Sequence, residues 1–203
     1  MSEDRSNREF WQSRYRTGQI PWDLGGTNAP VQGLVDRYFP PTGNVLIPCC
    51  GRGHEAIYLA ERGYGVTAVD LILEPLDYLR KSARERRLDI EVLHQDIFEL
   101  PPACDNAFDV FLEQTCLCSL DPSLYANYEA LAHRTLKPGG QLLGVFMEVP
   151  RAGGPPYNCP PDVVCGLFSS SRWTHGGTEP VTPRNPARPG PEYTARFVKR
   201  EKS

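Results

Sequence analysis

Asn44-Val45-Leu46-Ile47-Pro48-Cys49-Cys50-Gly51-Arg52-Gly53-His54-Glu55-Ala56-Ile57-Tyr58-Leu59-Ala60-Glu61-Arg62 sets a short apolar run, a glycine bend and a helical pattern in direct succession. The apolar run is entered through the turn Pro40-Pro41-Thr42-Gly43 and stops at the bend, so it reads as a buried strand. Beyond the bend, Ala56, Ile57, Leu59 and Ala60 recur at helical spacing, and Gly63 suits the left-handed position just past a helix end. Strand, turn and helix in this order form the first unit of a parallel sheet.

The same alternation continues outward. Gly65–Val69 is β-branched and ends at Asp70, after which Pro75 opens a helix with Leu76, Leu79 and Ala83 on one face. Arg84–Arg87 at its end complements the negative helix terminus. Ile90–Leu93 and Ala107–Leu112 are the third and fourth strand candidates. Asp121-Pro122 opens a helix carrying Leu124, Tyr128 and Leu131, and Lys137-Pro138-Gly139-Gly140 closes it ahead of a strand at Gln141–Met147. Strands separated by helices predict an α/β fold with a mainly parallel central sheet flanked by helices.

The ends differ from this middle. Residues 1–40 hold Phe10, Trp11, Tyr15, Trp22, Tyr38 and Phe39, a dense aromatic set expected to form a helical cap over the sheet. Nine of the 20 prolines fall from Gly153 onward, which makes that segment loop-rich. Within it, Pro160–Phe168 is expected as a short helix and Glu192–Lys199 as a closing edge strand, with Tyr193, Ala195 and Phe197 on one face. Thr174–Gly190 is expected as a mobile surface segment. The whole chain, 1–203, is read as a single domain: cap 1–40, ligand-binding core 41–150, and a Pro-rich substrate-side and C-terminal segment 151–203.

Twenty-two basic against 25 acidic side chains leave a net charge of -3, which argues against a protein that grips phosphate backbones, so no nucleic acid partner is expected. No stretch approaches the ~18 apolar residues of a membrane span, and Met1-Ser2-Glu3-Asp4-Arg5 lacks the apolar core of a secretory signal. A cytoplasmic monomer without membrane contact is the expectation. Seven cysteines, spread from Cys49 to Cys165, do not follow the arrangement of a small secreted disulfide framework, and reduced thiols are expected.

In a parallel α/β sheet the ligand crevice lies at the carboxyl ends of the strands. The residues placed there are Cys49–Gly53, Asp70, Asp96-Ile97 and Glu113-Gln114. Asp70 lies about 20 residues past the glycine bend, where a carboxylate accepts hydrogen bonds from a ribose diol. A dinucleotide diphosphate would rest on the N-terminus of the first helix, yet Glu55 occupies that turn and repels phosphate. Glu55, Asp70, Asp96 and Glu113 together suit an adenosine cofactor that carries an ammonium and a sulfonium but no phosphate, which describes S-adenosylmethionine. Arg52 is the counter-indication, although a side chain between two glycines can point to solvent.

On these residues the chain resembles the thiopurine and thiol (halide) S-methyltransferase family of class I S-adenosylmethionine-dependent methyltransferases. The resemblance runs from Phe10 to about Phe168. Its blocks are Phe10-Trp11, Tyr15, Gly18, Pro21-Trp22-Asp23, Gly25, then Val45–Ala56, Val66–Asp70, Gln95–Phe98, Phe108–Val110, Leu136–Gly140 and Gly153–Tyr157. It implies a Rossmann-like class I methyltransferase fold, and aromatic residues Trp11, Tyr15 and Trp22 closing over the cofactor. It puts the methionine part beside Cys49 and Gly51, the ribose on Asp70, the adenine near Asp96 and Ile97, and further cofactor contact at Gln114. Two departures stand out. Cys49 replaces a glycine or small apolar residue, which a positive φ would strain, and Gln114 replaces a tyrosine or arginine that shapes the acceptor pocket.

The implied reaction moves a sulfonium methyl to a small soft nucleophile, above all a thiol, with acceptor walls from the N-terminal aromatics, Glu113–Leu120 and Gly153–Tyr157. A non-catalytic nucleotide-binding protein and a dinucleotide-dependent oxidoreductase are the alternatives. No catalytic base is assigned. Cys116 and Cys118 lack a partner pair at zinc spacing, so no metal site is expected, and His54, His94, His133 and His175 show no triad spacing.

Overall fold

The computed structural model describes residues 8–201; the leading residues read above for a secretory signal lie outside them. Seven strands form one sheet, β1 (Asn44–Pro48), β2 (Gly65–Asp70), β3 (Ile90–His94), β4 (Phe108–Gln114), β5 (Leu136–Met147), β6 (Trp173–Pro180) and β7 (Glu192–Lys199), in the order β3-β2-β1-β4-β5-β7-β6. The first five run parallel, whereas β7 is antiparallel to both β5 and β6. Strand order reverses between β1 and β4, and a crevice opens at their carboxyl ends.

Among the described residues six α-helices accompany the sheet: α1 (Arg8–Arg16), α2 (Ala29–Tyr38), α3 (His54–Ala60), α4 (Leu73–Arg86), α5 (Tyr125–Thr135) and α6 (Pro161–Leu167). The two-residue period of the strands distributes side chains to both faces. Val45 and Ile47 of β1 pack with Val31 and Leu34 of α2, Ala56 and Leu59 of α3 and Leu79 of α4. Leu46, one residue over, packs on the opposite face with Phe111, Tyr128 and Leu131. Cover on both faces explains why β1 reads as a continuous apolar run instead of an alternation.

Three expectations change. β7 is not an edge strand: Tyr193, Ala195 and Phe197 do share a buried face, but β6 pairs outside it. The start of the segment expected to be mobile, Thr174–Pro180, belongs to β6. Only Trp173 of β6 is buried, so its side chains carry no alternation to read; backbone pairing to β7, interrupted between His175 and Thr178 at Gly176-Gly177, makes it a strand. Cys49 and Cys116 are joined in a disulfide across 67 residues, against the expectation of reduced thiols throughout, because the tips of neighbouring strands β1 and β4 bring their Cα atoms to 5.3 Å. The remaining five cysteines are free.

The helix after the first bend begins through a backbone that only glycine adopts at low cost. Gly53, the residue preceding α3, has φ 68°, and a Cβ there would lie 2.6 Å from the Leu79 methyls. Gly53→Ala is expected to lower stability by about 1–3 kcal/mol, read as the urea midpoint at unchanged slope, through left-handed strain and the displaced Leu79.

Candidate active site

A cavity of about 740 Å³ opens over the carboxyl ends of the strands, within the range of about 300–1,000 Å³ usual for small-molecule sites. Trp11, Tyr15, Trp22, Cys49, Asp70, Asp96 and Ile97 all line it, so seven of the nine expected cofactor residues converge. Gly51 and Gln114 do not; they line an adjoining recess with Glu55 and Asp23, and Cys49, Tyr15 and Trp22 face both spaces.

Asp70 is the pivot of the bend. Its Oδ2 accepts the Gly51 amide at 2.8 Å and its Oδ1 the Ile72 amide at 2.9 Å, and the Leu71 amide also acts on this carboxylate. Burial raises its pKa above the usual carboxylate range, with the backbone amides opposing that rise. The bend itself is left-handed at three positions, Cys49 (φ 48°), Gly51 (φ 54°) and Gly53 (φ 68°). The strained cysteine foreseen in the sequence is thus present. Asp96 caps a 3-10 turn, Ile97–Glu99, by accepting the Phe98 amide at 2.9 Å, which sets Ile97 against the cavity.

The other two acids of the expected carboxylate pocket lie elsewhere. Glu55, in the first turn of α3, turns under the cap and accepts the Asn28 amide at 3.1 Å; burial raises its pKa. It fills the anion-binding end of that helix with a carboxylate, which disfavours a diphosphate. Glu113 points into the core instead of the crevice. It accepts the amides of Cys116 at 2.8 Å and Leu117 at 3.1 Å, and the Tyr128 hydroxyl donates to it. Burial pushes its pKa up to about 7. These bonds fix the turn after β4, where Thr115 (φ 60°) meets both spaces.

The aromatic cap is held at several points. Trp22 packs edge-on to Trp11 and Tyr15, with ring centroids 5.3 and 5.7 Å apart, and its indole N–H donates to the Tyr15 hydroxyl at 3.3 Å. Asp23 accepts the Gly25 amide at 2.8 Å and Arg52 at 3.0 Å and lies 2.9 Å from His54 Nε2; against desolvation, which acts the other way, the Gly25 amide, then His54 and Arg52, lower its pKa. Arg52 is part-exposed, and its guanidinium is held by Asp23 and lies over the Tyr78 ring. Among the described residues no group of three or more His, Cys, Asp or Glu side chains could hold a metal ion.

Among the lining residues that sequence reasoning missed, Arg188 matters most. Arg188, in the Pro-rich segment, lines both the cavity and the recess, yet only 4% of it is exposed. Its Nη1 donates to the Trp22 carbonyl at 3.1 Å, and its Nε forms an ion pair with Glu192 at 3.0 Å. Arg188 Nε and Glu192 Oε2 nonetheless lack hydrogen-bond partners among the described residues. Asn28 ties this pair to the sheet, reaching Gln114 at 3.4 Å and Glu192 at 3.3 Å. The one sequence signal was an arginine and a glutamate four residues apart in an otherwise apolar, proline-rich stretch. Leu120, Leu124, Met147, Pro155, Pro156 and Pro186 complete an apolar wall beside Arg188.

The sequence pattern of the family described as Thiopurine S-methyltransferase (TPMT) matches residues 6–181. The chain is 29% identical to "Probable thiol methyltransferase 2" of Arabidopsis thaliana over 160 residues, covering 77% of this chain and 69% of that protein. It is 25% identical to "Thiopurine S-methyltransferase" of Legionella pneumophila (strain Paris) over 171 residues, covering 76% of this chain and 77% of the relative. A similar solved structure is Burkholderia thailandensis 1,6-didemethyltoxoflavin-N1-methyltransferase with bound 1,6-didemethyltoxoflavin and S-adenosylhomocysteine. It has a TM-score of 0.80 at 22% identity and covers 96% of this chain and 87% of the other, a likeness of fold.

The raised pKa of Glu113 has a definite sign. The folded state keeps a proton that the unfolded chain releases between pH 4.5 and about 7. The stability that Glu113 contributes is therefore full below pH 4.5 and is lost as pH rises through about 7. Glu113→Gln should gain on wild type by roughly 3 kcal/mol between acidic and mildly basic buffer, measured as paired urea midpoints. A constant difference across that range would contradict the buried, protonated carboxyl.

Proposed function

The chain belongs to the thiopurine S-methyltransferase family, and we propose that its cavity brings S-adenosylmethionine together with a small organic thiol and moves the methyl group onto sulfur. The observation that carries this reading is the division of charge in one cavity. Asp70 and Asp96 lie on the side of β2 and β3, and Arg188 with apolar walls on the side of β5 and β7; Arg14 of the cap and Arg151 after β5 are the other charged side chains of the lining.

The cofactor supplies an electrophilic sulfonium methyl when bound. Asp70 offers its cavity-facing carboxylate to the ribose hydroxyls, and the Gly51 amide that it holds keeps the bend from collapsing into that place. Ile97 covers one face of the adenine, with Asp96 beside it. Trp11, Tyr15 and Trp22 close over the cofactor and exclude water. Cys49, Gly51 and Gln114 border the amino-acid end, where the buried Glu55 adds negative charge toward an ammonium.

On the acceptor side, Arg188 favours the thiolate over the thiol and lowers the pKa of a bound thiol, so no side chain has to act as a base. Leu120, Met147 and the prolines strip water from the sulfur, and catalysis consists of alignment and desolvation. The proposal takes the chain as one catalytic domain, with 1–40 as lid, 41–150 as cofactor core and 151–203 as acceptor wall. It acts as a cytoplasmic monomer. In support, the large apolar side chains exposed among the described residues, Leu73, Tyr78 and Val163, are scattered, and no described helix is long and apolar enough to cross a membrane.

Methyl transfer from labelled S-adenosylmethionine to benzenethiol, thiocyanate, iodide and a phenol tests the reading. Turnover on the aromatic thiol is expected, and turnover confined to the phenol would refute it. Asp70→Ala should weaken S-adenosylhomocysteine binding by roughly 1–3 kcal/mol in calorimetry, through lost hydrogen bonds to a carboxylate. Removing Arg188 alone would strand a buried Glu192, so the informative comparison is Arg188→Met in a Glu192→Gln background against that background. The acceptor KM should rise roughly tenfold or more while S-adenosylhomocysteine affinity stays nearly constant.

A further inference from the structure

The bridged pair Cys49 and Cys116, one sulfur on the cavity wall and one behind it, takes no part in the chemistry described so far; Cys118 also lines the cavity, as a free thiol. Cys49 sits at the tip of β1, half-buried and facing both the cavity and the recess. Cys116 sits in the turn after β4, fully buried, with its amide bonded to Glu113 at 2.8 Å. Their Cα separation of 5.3 Å lies within the usual disulfide range of about 4.4–6.8 Å. One member of the pair is thus open to a molecule in the cavity and the other lies behind it. Asp70 and Glu55 line the spaces that Cys49 faces, and Arg188, which lines both of them, supplies the positive charge that an entering thiolate requires, with apolar side chains around it. A small aromatic thiolate is suited to that surface.

We propose that Cys49 and Cys116 form a reversible thiol–disulfide exchange site that takes small organic thiols and their disulfides from the cavity. In the reducing direction, an entering thiolate attacks Cys49 Sγ. The bond to Cys116 Sγ breaks, and Cys116 leaves as thiolate and takes up a proton. A second thiolate then attacks the entered sulfur and frees Cys49. The protein disulfide gains two electrons and two protons, and the two small thiols lose them in becoming one disulfide. In the oxidising direction, a small disulfide reacts with the Cys49 thiolate, and Cys116 resolves the mixed disulfide. Attack falls on Cys49 because Cys116 is shielded on every side. The adduct on Cys49 occupies the place assigned to the amino-acid end of the cofactor, so exchange and cofactor occupancy compete. A bridge opened by the thiols of its own compartment accommodates a disulfide in a reducing cell.

The proposal rests on the cavity admitting small thiols, as in the preceding reading, but its main readout requires no methyl transfer. Fully reduced, folded protein is treated with 5,5′-dithiobis(2-nitrobenzoate) and mapped by peptide mass spectrometry. The expected product is a peptide pair linked through Cys49 and Cys116, which a small thiol separates again without denaturant. In Cys116→Ser the mixed disulfide should persist on Cys49. Saturating S-adenosylhomocysteine should slow its formation about tenfold or more, while labelling of Cys165, which is half-buried and lies outside the cavity, keeps its rate. Absence of the linked pair in wild type overturns the proposal, as does labelling of Cys49 indifferent to S-adenosylhomocysteine that calorimetry shows to be bound. If Cys116→Ser does not fold, the wild-type peptide map decides alone. Failure of the unmodified, reduced protein to bind S-adenosylhomocysteine would instead defeat the methyl-transfer reading, and exchange would then stand or fall on the linked pair.

Discussion

The hydrogen bond from the Gly51 amide to Asp70, 2.8 Å long, joins the tips of two adjacent parallel strands, and the site depends on it. β1 ends in a bend that is left-handed at Cys49, Gly51 and Gly53, and such a bend does not hold itself. Asp70, one strand over, accepts the amide of the bend with one oxygen and the Ile72 amide with the other. The cost of burying that carboxylate is offset by these donors. A single side chain thereby shapes the loop and keeps a charged surface toward the cavity.

Electrostatics divides the cavity that results. Carboxylates stand where a nucleoside with a cationic side chain is proposed to lie, and a buried guanidinium stands where a soft anion is proposed to enter. Reactants of opposite charge are drawn together, and the products, a thioether and S-adenosylhomocysteine, no longer carry the attracting sulfonium and thiolate. The apolar surroundings strengthen both effects by lowering the local dielectric.

The lid and the C-terminal segment are one assembly. Arg188 donates to the Trp22 carbonyl, and Asn28 connects Glu192 with Gln114. Proline-rich loop, aromatic cap and strand tips are consequently coupled through part-buried and buried polar contacts. Gly190 shows how closely this loop is fitted, since a Cβ there would fall 1.6 Å from the Glu148 carbonyl oxygen. The polar network has orphaned atoms, Arg188 Nε and Glu192 Oε2, at the border of the cavity.

The local sequence determined the parallel half of the sheet, its helices and the placing of Asp70, Asp96 and Ile97, because each depends on periodicity or on a residue directly after an apolar run. The left-handed bend was legible in Gly51 and Gly53, whose lack of a Cβ is a local property. Contacts across long separations were not legible. Glu113 and Asp70 look alike in sequence, each an acid at a strand end, yet one bonds inward to Tyr128 and the other lines the cavity, because the helix packed behind β4 supplies a donor. Cys49 and Cys116 are joined by strand adjacency and not by spacing. β6 exists through pairing with β7, and Arg188 reaches the site only because the antiparallel β7 returns the chain to the cap. Such features depend on which backbone lies beside which, and that is decided only once the apolar faces have been buried together.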